Sequence, residues 1–179
     1  MKKTFSELFK EIIPVIIGIL IALFINNWNE QRKEEKYVSQ ILESIKLELA
    51  ESKIDIDKNI SKQKILIDSL KHYASDNEMS IIQTAYKADG VHAPQIRINS
   101  WRAISNTKIE LIDYDKLSTL DDIEEGKELL KEKLDYLMKF VFSNLKDTSE
   151  DKKELMILLL RDIISTEYFI KEDIESFED

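Results

Sequence analysis

The stretch IIPVIIGILIALFINNWNE, residues 12–30, decides how this chain is organised. Ile12 to Ile25 is a run of fourteen apolar or small residues without a charge, closed by the amide pair Asn26 and Asn27 and by Trp28. In a chain that is 34% charged, such a run has no low-energy place in water. A bilayer core needs about 20 apolar residues in a helix. The run alone rises about 21 Å, but Phe5 to Trp28 rises about 36 Å at about 1.5 Å per residue. In that frame Phe5, Leu8 and Phe9 lead in and Lys10 snorkels outward. Asn26 and Asn27 reach headgroup depth and Trp28 joins the aromatic belt. Pro14 is expected in the first turn of the run, where a missing N–H costs least.

Two other readings of the run compete. A cleaved signal peptide has a similar charged start, but residues 24–27 offer no small-x-small cleavage pattern and the helical pattern continues through the exit. A buried core helix is often 10–14 residues long, but it is rarely apolar all round. The flanking cations, Lys2, Lys3, Lys10 and the amino group against Arg32, Lys33 and Lys36, with Lys46 further on, tip the positive-inside balance slightly toward a cytoplasmic N-terminus. The expected address is a bacterial inner membrane, crossed once, with the soluble part periplasmic. Gly18 and Ala22 form a small-xxx-small pair that lets two helices approach, and Asn26, one turn on, is placed to hydrogen-bond across such a contact. Small residues are also common in membrane helices for no such reason.

Composition narrows the rest. Of 179 residues only three are Gly and two are Pro, and none is Cys. Few breakers suit long helices, and the absence of cysteine removes disulfides, thiolate metal sites and thiol nucleophiles. Residues 1–112 hold 16 Lys/Arg against 15 Asp/Glu, whereas residues 113–179 hold 10 against 20. The net charge of -9 therefore lies in the C-terminal third, and no basic stripe exists to receive a phosphate backbone. Nucleic acid is not an expected partner.

Beyond the run, Asn29 to about residue 75 contains no breaker. Steps of four and three pick out Val38, Leu42, Ile45, Leu49, Ser52, Ile56, Asn59, Gln63, Leu66, Leu70 and Tyr73, a heptad seam interrupted by three polar residues. Polar seam residues either set register or mark exposed stretches. Ile41, Ile54, Ile60, Ile65 and Ile67 widen the seam into a face suited to further helices. The segment is expected to be the central helix of a bundle that also self-associates, joined to the apolar run without a hinge as a rod about 100 Å long.

Residues 76–179 read as shorter pieces and two long helices. A short helix is expected over 79–88, then a Gly90–Pro94 loop, then an alternation over 95–98 too short for a confident strand. Asn99 or Ser100 caps a turn carrying Trp101 and Ile104. Ile109 to Ile112 is an apolar knot, and a short helix from Asp113 or Asp115 is expected to end near Glu124. Long amphipathic helices follow over 125–144 and 149–177, with Thr148 and Asp151 resembling a capping box. The fold class is all-α. The organisation is a tail (1–11), a transmembrane helix (12–28), a stalk (29–75) and a helical bundle part packed on the stalk (76–179). Trp101, Ile104, Leu111 and Ile112 form the densest apolar patch in the loop-like region. A core plug is the favoured reading, and docking of a partner protein is the sharper one.

Little here carries chemistry. His72 and His92 lack the partners of a zinc site and read as surface or cap residues. Asp113, Asp115, Asp121, Asp122, Glu124 and Glu125 lack the order and central Gly of an EF-hand and read as solvated helix starts. The glycines at 18, 90 and 126 are too isolated for a phosphate loop. No serine stands in a nucleophile elbow. No enzyme, cofactor or metal is expected.

Residues 18–33, reading GILIALFINNWNEQRK, resemble the signature of a group of short single-pass membrane proteins of Bacteroidota. These have an apolar helix ending in Asn-Asn-Trp-Asn-Glu, then Arg-Lys, then a long Leu- and Glu-rich helix. Residues 100–112, SWRAISNTKIELI, are similar to a second element of that group, except that Asn106 and Thr107 stand where a Gly is usual. The resemblance implies a bacterial membrane protein with an all-helical soluble part, and no activity. The expected function is a membrane-anchored scaffold or accessory subunit without catalytic chemistry, held by the lipid bilayer and by copies of itself or a membrane protein partner. The alternative is a membrane-proximal sensor or ligand-binding bundle that signals through a partner.

Overall fold

A computed structural model gives the fold and describes residues 5–105 and 109–178. Lys2, Lys3, Asn106, Thr107 and the side chains of Phe5, Leu8 and Phe9 lie outside the described residues. The elements are α1 (Phe5–His72), α2 (Ile81–Lys87), α3 (Asn99–Ser105), a 3-10 turn (Ile109–Leu111), α4 (Tyr114–Ser143) and α5 (Glu150–Glu178). No strand occurs among the described residues. The protein is all-α.

The chain divides into two compact units, Met1–Ile41 and Leu42–Asp179. The first is the leading part of α1. It starts at Phe5, so the first turn of the apolar run, where Pro14 stands, is already helix interior. The carbonyl of Lys10 therefore has no i+4 donor. An apolar helix tolerates this where neighbouring groups or local adjustment satisfy the freed carbonyl.

The second unit is an antiparallel helical bundle built on the rest of α1. Pairings between α1 and α5 run in opposite senses: Lys53 with Glu178, Asp57 with Lys171, Gln63 with Glu167, and the carbonyl of Tyr73 with Lys153. Along α4 and α5 the partners are Lys133 with Asp162 and Gly126 with Ile170. The stalk is thus not a separate body. From Leu42 onward it is a core helix of the bundle.

The heptad seam is the buried face. Ile45, Leu49, Ile56, Leu66 and Leu70 are wholly buried, as are Met156, Leu160, Ile170 and Ile174 of α5 and Leu120, Ile123 and Leu137 of α4. Each such side chain contributes about 1.5–3 kcal/mol. The widened face was read too broadly. Ile60 and Ile67 are buried, but Ile54 and Ile65 point to solvent.

Three local expectations change. The helix expected to stop near Glu124 continues to Ser143. Leu120, Ile123, Leu130, Leu137 and Val141 keep one buried face across Gly126, so the glycine breaks nothing. A Cβ at Gly126 would lie 2.8 Å from Ile170 Cγ1, and the missing side chain is what lets α5 approach. The Thr148–Asp151 capping box does not form. Instead the Asp147 carboxylate accepts from the backbone N–H and the hydroxyl of Ser149, which hold it below the usual carboxylate range. The short helix is trimmed to Ile81–Lys87 by a true capping box, Ser80 with Gln83. Residues 95–98, whose alternation is too short for a strand, form none.

Substituting Gly126 with alanine should therefore destabilise the fold. The gain in helix propensity is about 1 kcal/mol, against an overpacking cost of about 1–3 kcal/mol at a fully buried isoleucine. A lowered melting temperature for Gly126→Ala is expected. A raised one would show that Ile170 yields freely.

Candidate functional site

Two regions carry the features from which a function can be argued: the apolar run, and the polar stretch of the seam. In the run, Ile12 to Trp28 are all exposed, with Phe24 at 72% and Trp28 at 53%. A core helix does not sit this way, so that reading of the run is set aside. α1 contains the one helix segment among the described residues long and apolar enough to cross a membrane, close to the N-terminus. Gly18 and Ala22 lie one turn apart, and a Cβ at Gly18 would meet nothing within 4 Å. Asn26, Asn27 and Trp28 continue that exposed surface, and the guanidinium of Arg32 lies 5.0 Å from the Trp28 ring centroid. That contact joins the aromatic to the first cation after the run.

The polar seam residues resolve the other ambiguity: they are buried, not exposed. Ser52, Asn59 and Gln63 are at most 7% exposed. Ser52 and Gln63 face an irregular segment, residues 88–98, that lies along α1, whereas Asn59 donates to the carbonyl of Asp55 one turn back in its own helix. Extended backbone makes no hydrogen bonds of its own, so each buried group needs a partner. The Ser52 hydroxyl accepts from Arg97 N–H at 2.8 Å while donating to the carbonyl of Glu48. Asp55 accepts from Gln95 N–H at 2.7 Å, and Gln63 donates to the carbonyl of His92 at 3.1 Å. Ion pairs flank this line, Lys62 with Asp89 and Arg97 with Glu51. At its end Glu48 accepts from both the backbone and the hydroxyl of Ser100, the second residue of α3. Ile98, within the segment, is wholly buried.

α2 delivers the segment. Its first N–H groups, Ile81 and Ile82, are received by the carbonyls of Asp147 and Leu145 in the α4–α5 turn. Its far end closes with Gly90 N–H on the carbonyl of Ala85 and Asp89 N–H on that of Tyr86. Asp89 adopts φ 66° and Gly90 φ 100°, left-handed backbone that turns the chain back onto α1.

Of the expected docking patch, Trp101, Ile104 and Ile112 are buried and only Leu111 is substantially exposed, at 41%. Trp101 donates its indole N–H to Glu124 at 2.9 Å, and Arg102 meets the same carboxylate. A partner could not reach the three buried side chains, so the docking reading is corrected for them: they plug the bundle beneath α3. His72 stacks edge-on against Tyr73, and His92 engages the carbonyl of Asp89. Among the described residues, no three or more His, Cys, Asp or Glu are grouped to hold a metal ion.

Two buried ionisable residues escaped the sequence reading. Lys153 is wholly buried, and its ammonium donates at 2.7 Å to the carbonyls of Tyr73 and Asp76, just past the end of α1. Glu167 is also wholly buried and accepts from Gln63 at 2.7 Å. Burial pushes its carboxyl up to about 7, against the opposing hydrogen bond from Gln63. Both fall on the four-and-three rhythm of α5, Lys153 three residues before Met156 and Glu167 between Ile163 and Ile170, so their spacing, not their residue type, is the signal that marks them as buried.

Taken together, these features describe an all-α protein with one N-terminal helix long and apolar enough to cross a membrane and a bundle stapled along the rest of that helix. A model of a family of unknown function (DUF6090) matches residues 11–87, from the start of the apolar run through α2. No curated protein and no solved structure matches the chain.

Replacing Lys153 with methionine keeps the length of the side chain but strips its carbonyl partners. Stability should fall by roughly 3 kcal/mol, the scale of a charge-assisted buried hydrogen-bond set. Thermal unfolding of Lys153→Met reads this, and an unchanged midpoint would contradict the role assigned to Lys153.

Proposed function

We propose that the chain is a membrane-anchored helical scaffold or accessory subunit, without catalytic chemistry, that self-associates or joins a membrane protein complex. The observation that carries this reading is the contrast along α1. The seam from Ile45 to Leu70 is covered by the chain's own bundle, whereas Ile12 to Trp28 is apolar and has nothing upon it. Apolar surface of that extent needs lipid or another helix. The bundle's use of the seam leaves association to the run itself, with Gly18 and Ala22 as the close-approach face and Asn26 as the polar contact. Asn27 and Trp28 set the depth. The cation balance favours a cytoplasmic N-terminus and a periplasmic bundle in a bacterial inner membrane.

One observation favours a second reading, a ligand-binding bundle that signals through a partner. A cleft of about 390 Å³ lies between α2 and α4, lined by Ile82, Tyr86, Val91, Met138, Phe142 and other mostly apolar residues. Its volume falls in the range of small-molecule sites.

The full chain should remain in the membrane pellet after alkaline carbonate washing and leave it only with detergent. Recovery in the carbonate supernatant would contradict the anchor. Replacing Gly18 and Ala22 together with leucine should reduce the assembly size measured in mild detergent by native mass spectrometry. An unchanged size would remove the helix-pairing part of the proposal.

A further inference from the structure

Gln63 and Glu167 pose a problem of unmade hydrogen bonds. Both side chains are at most 1% exposed, and Gln63 Nε2 donates to Glu167 Oε1 at 2.7 Å and to the carbonyl of His92 at 3.1 Å. The His92 carbonyl can only accept, so the amide must present its nitrogen there, which fixes the orientation of the amide. Two atoms are then left buried without a partner: Gln63 Oε1 and Glu167 Oε2. They belong to the same two groups, already joined by one bond. An orphaned buried acceptor costs about 1–3 kcal/mol. A protonated carboxyl has one donor to offer, and an amide oxygen is an acceptor. A proton on Glu167 Oε2 would supply the donor that Gln63 Oε1 lacks.

We propose that Gln63 and Glu167 form a closed acid–amide ring, a proton-operated latch that joins α1, α5 and the 88–98 segment and opens when Glu167 ionises. The latch is strategic because Gln63 is the bridge: its amide holds α5 through Glu167 and the loop through His92. Ionisation breaks the ring and leaves a buried anion with one donor. The charged groups on the surrounding elements are engaged elsewhere. On α1, Lys62 pairs with Asp89 and Lys64 reaches the Tyr168 hydroxyl. On α4, Lys133 is held by Asp162 and Thr166. On the loop, His92 turns to Asp89. On α5, Lys171 pairs with Asp57. Gln63 alone opposes the effect of burial on the carboxyl.

The sign follows. Glu167 ionises near 4.5 in the unfolded chain and near 7 when folded. Between those values the folded chain holds one proton more than the unfolded chain, so its stability falls as pH rises through the window and levels off on either side. The unfolding equilibrium constant attributable to this group rises by at most tenfold per pH unit there, and by roughly fortyfold between pH 5 and pH 7. Glu167→Gln keeps the shape and supplies an amide proton in place of the acid proton, so its ring stays closed at every pH.

The test compares unfolding of the full-length wild-type chain and Glu167→Gln in detergent across pH 4 to 9, together with the carboxyl carbon resonance of Glu167 in the wild type. Wild type should lose stability relative to Glu167→Gln between pH 5 and pH 7, and the resonance should titrate within the same window. A stability difference that stays flat across that range would overturn the latch. So would a Glu167 resonance that titrates in the ordinary carboxylate range, which decides the matter even if Glu167→Gln fails to fold.

Discussion

An extended peptide buried against a helix can satisfy its backbone only through the helix's side chains, and this constraint shapes the bundle. Residues 88–98 cross the face of α1 without strand partners. Ser52, Asp55 and Gln63 supply what the segment lacks. A leucine at position 52 would gain about 1.5–3 kcal/mol of transfer energy. It would also orphan Arg97 N–H at about 1–3 kcal/mol and overpack a fully buried site at a similar cost. The polar residue wins. What looks like a weakened coiled-coil seam is a seam adapted to a backbone instead of a second helix.

The same constraint orders the elements around it. α2 exists to start the segment, closed at one end by the α4–α5 turn and at the other by left-handed backbone at Asp89 and Gly90. α3 ends it, with Ser100 on Glu48 and Trp101 on Glu124. Lys153 closes the far corner on the carbonyls past α1. The buried face of α1 from Leu42 onward is thereby used up within the chain. Among the described residues, the longest apolar stretch of α1 left exposed is Ile12 to Ile25.

Much of this was legible in one dimension. The apolar run, the seam and the long amphipathic pattern of α5 follow from spacing alone, because burial on one face repeats every turn or two. Ser80 and Gln83 form a capping box at its standard spacing, whereas the similarly spaced Thr148 and Asp151 form none. Other features were not legible. Whether Ser52 and Gln63 find partners depends on a segment some 30 to 45 residues away. Gly126 reads as a breaker unless one knows that Ile170 lies against it. Ile54 and Ile65 are apolar in sequence but fall outside the face that α5 covers. Lys153 and Glu167 stand on the apolar rhythm of α5, so their spacing points inward, but only packing shows which groups receive them. Long-range contacts decide how each of these residues is satisfied, and periodicity does not report that.

Amide hydrogen exchange of the full chain in lipid, resolved over residues 92–100, tests the central claim most directly. If the segment is stapled to α1, the N–H groups of Gln95, Arg97 and Ser100 exchange slowly, with protection comparable to the helices that flank them, and Ser52→Ala releases Arg97 first. Exchange at the rate of an unstructured loop, or protection at Arg97 indifferent to Ser52→Ala, would contradict the account.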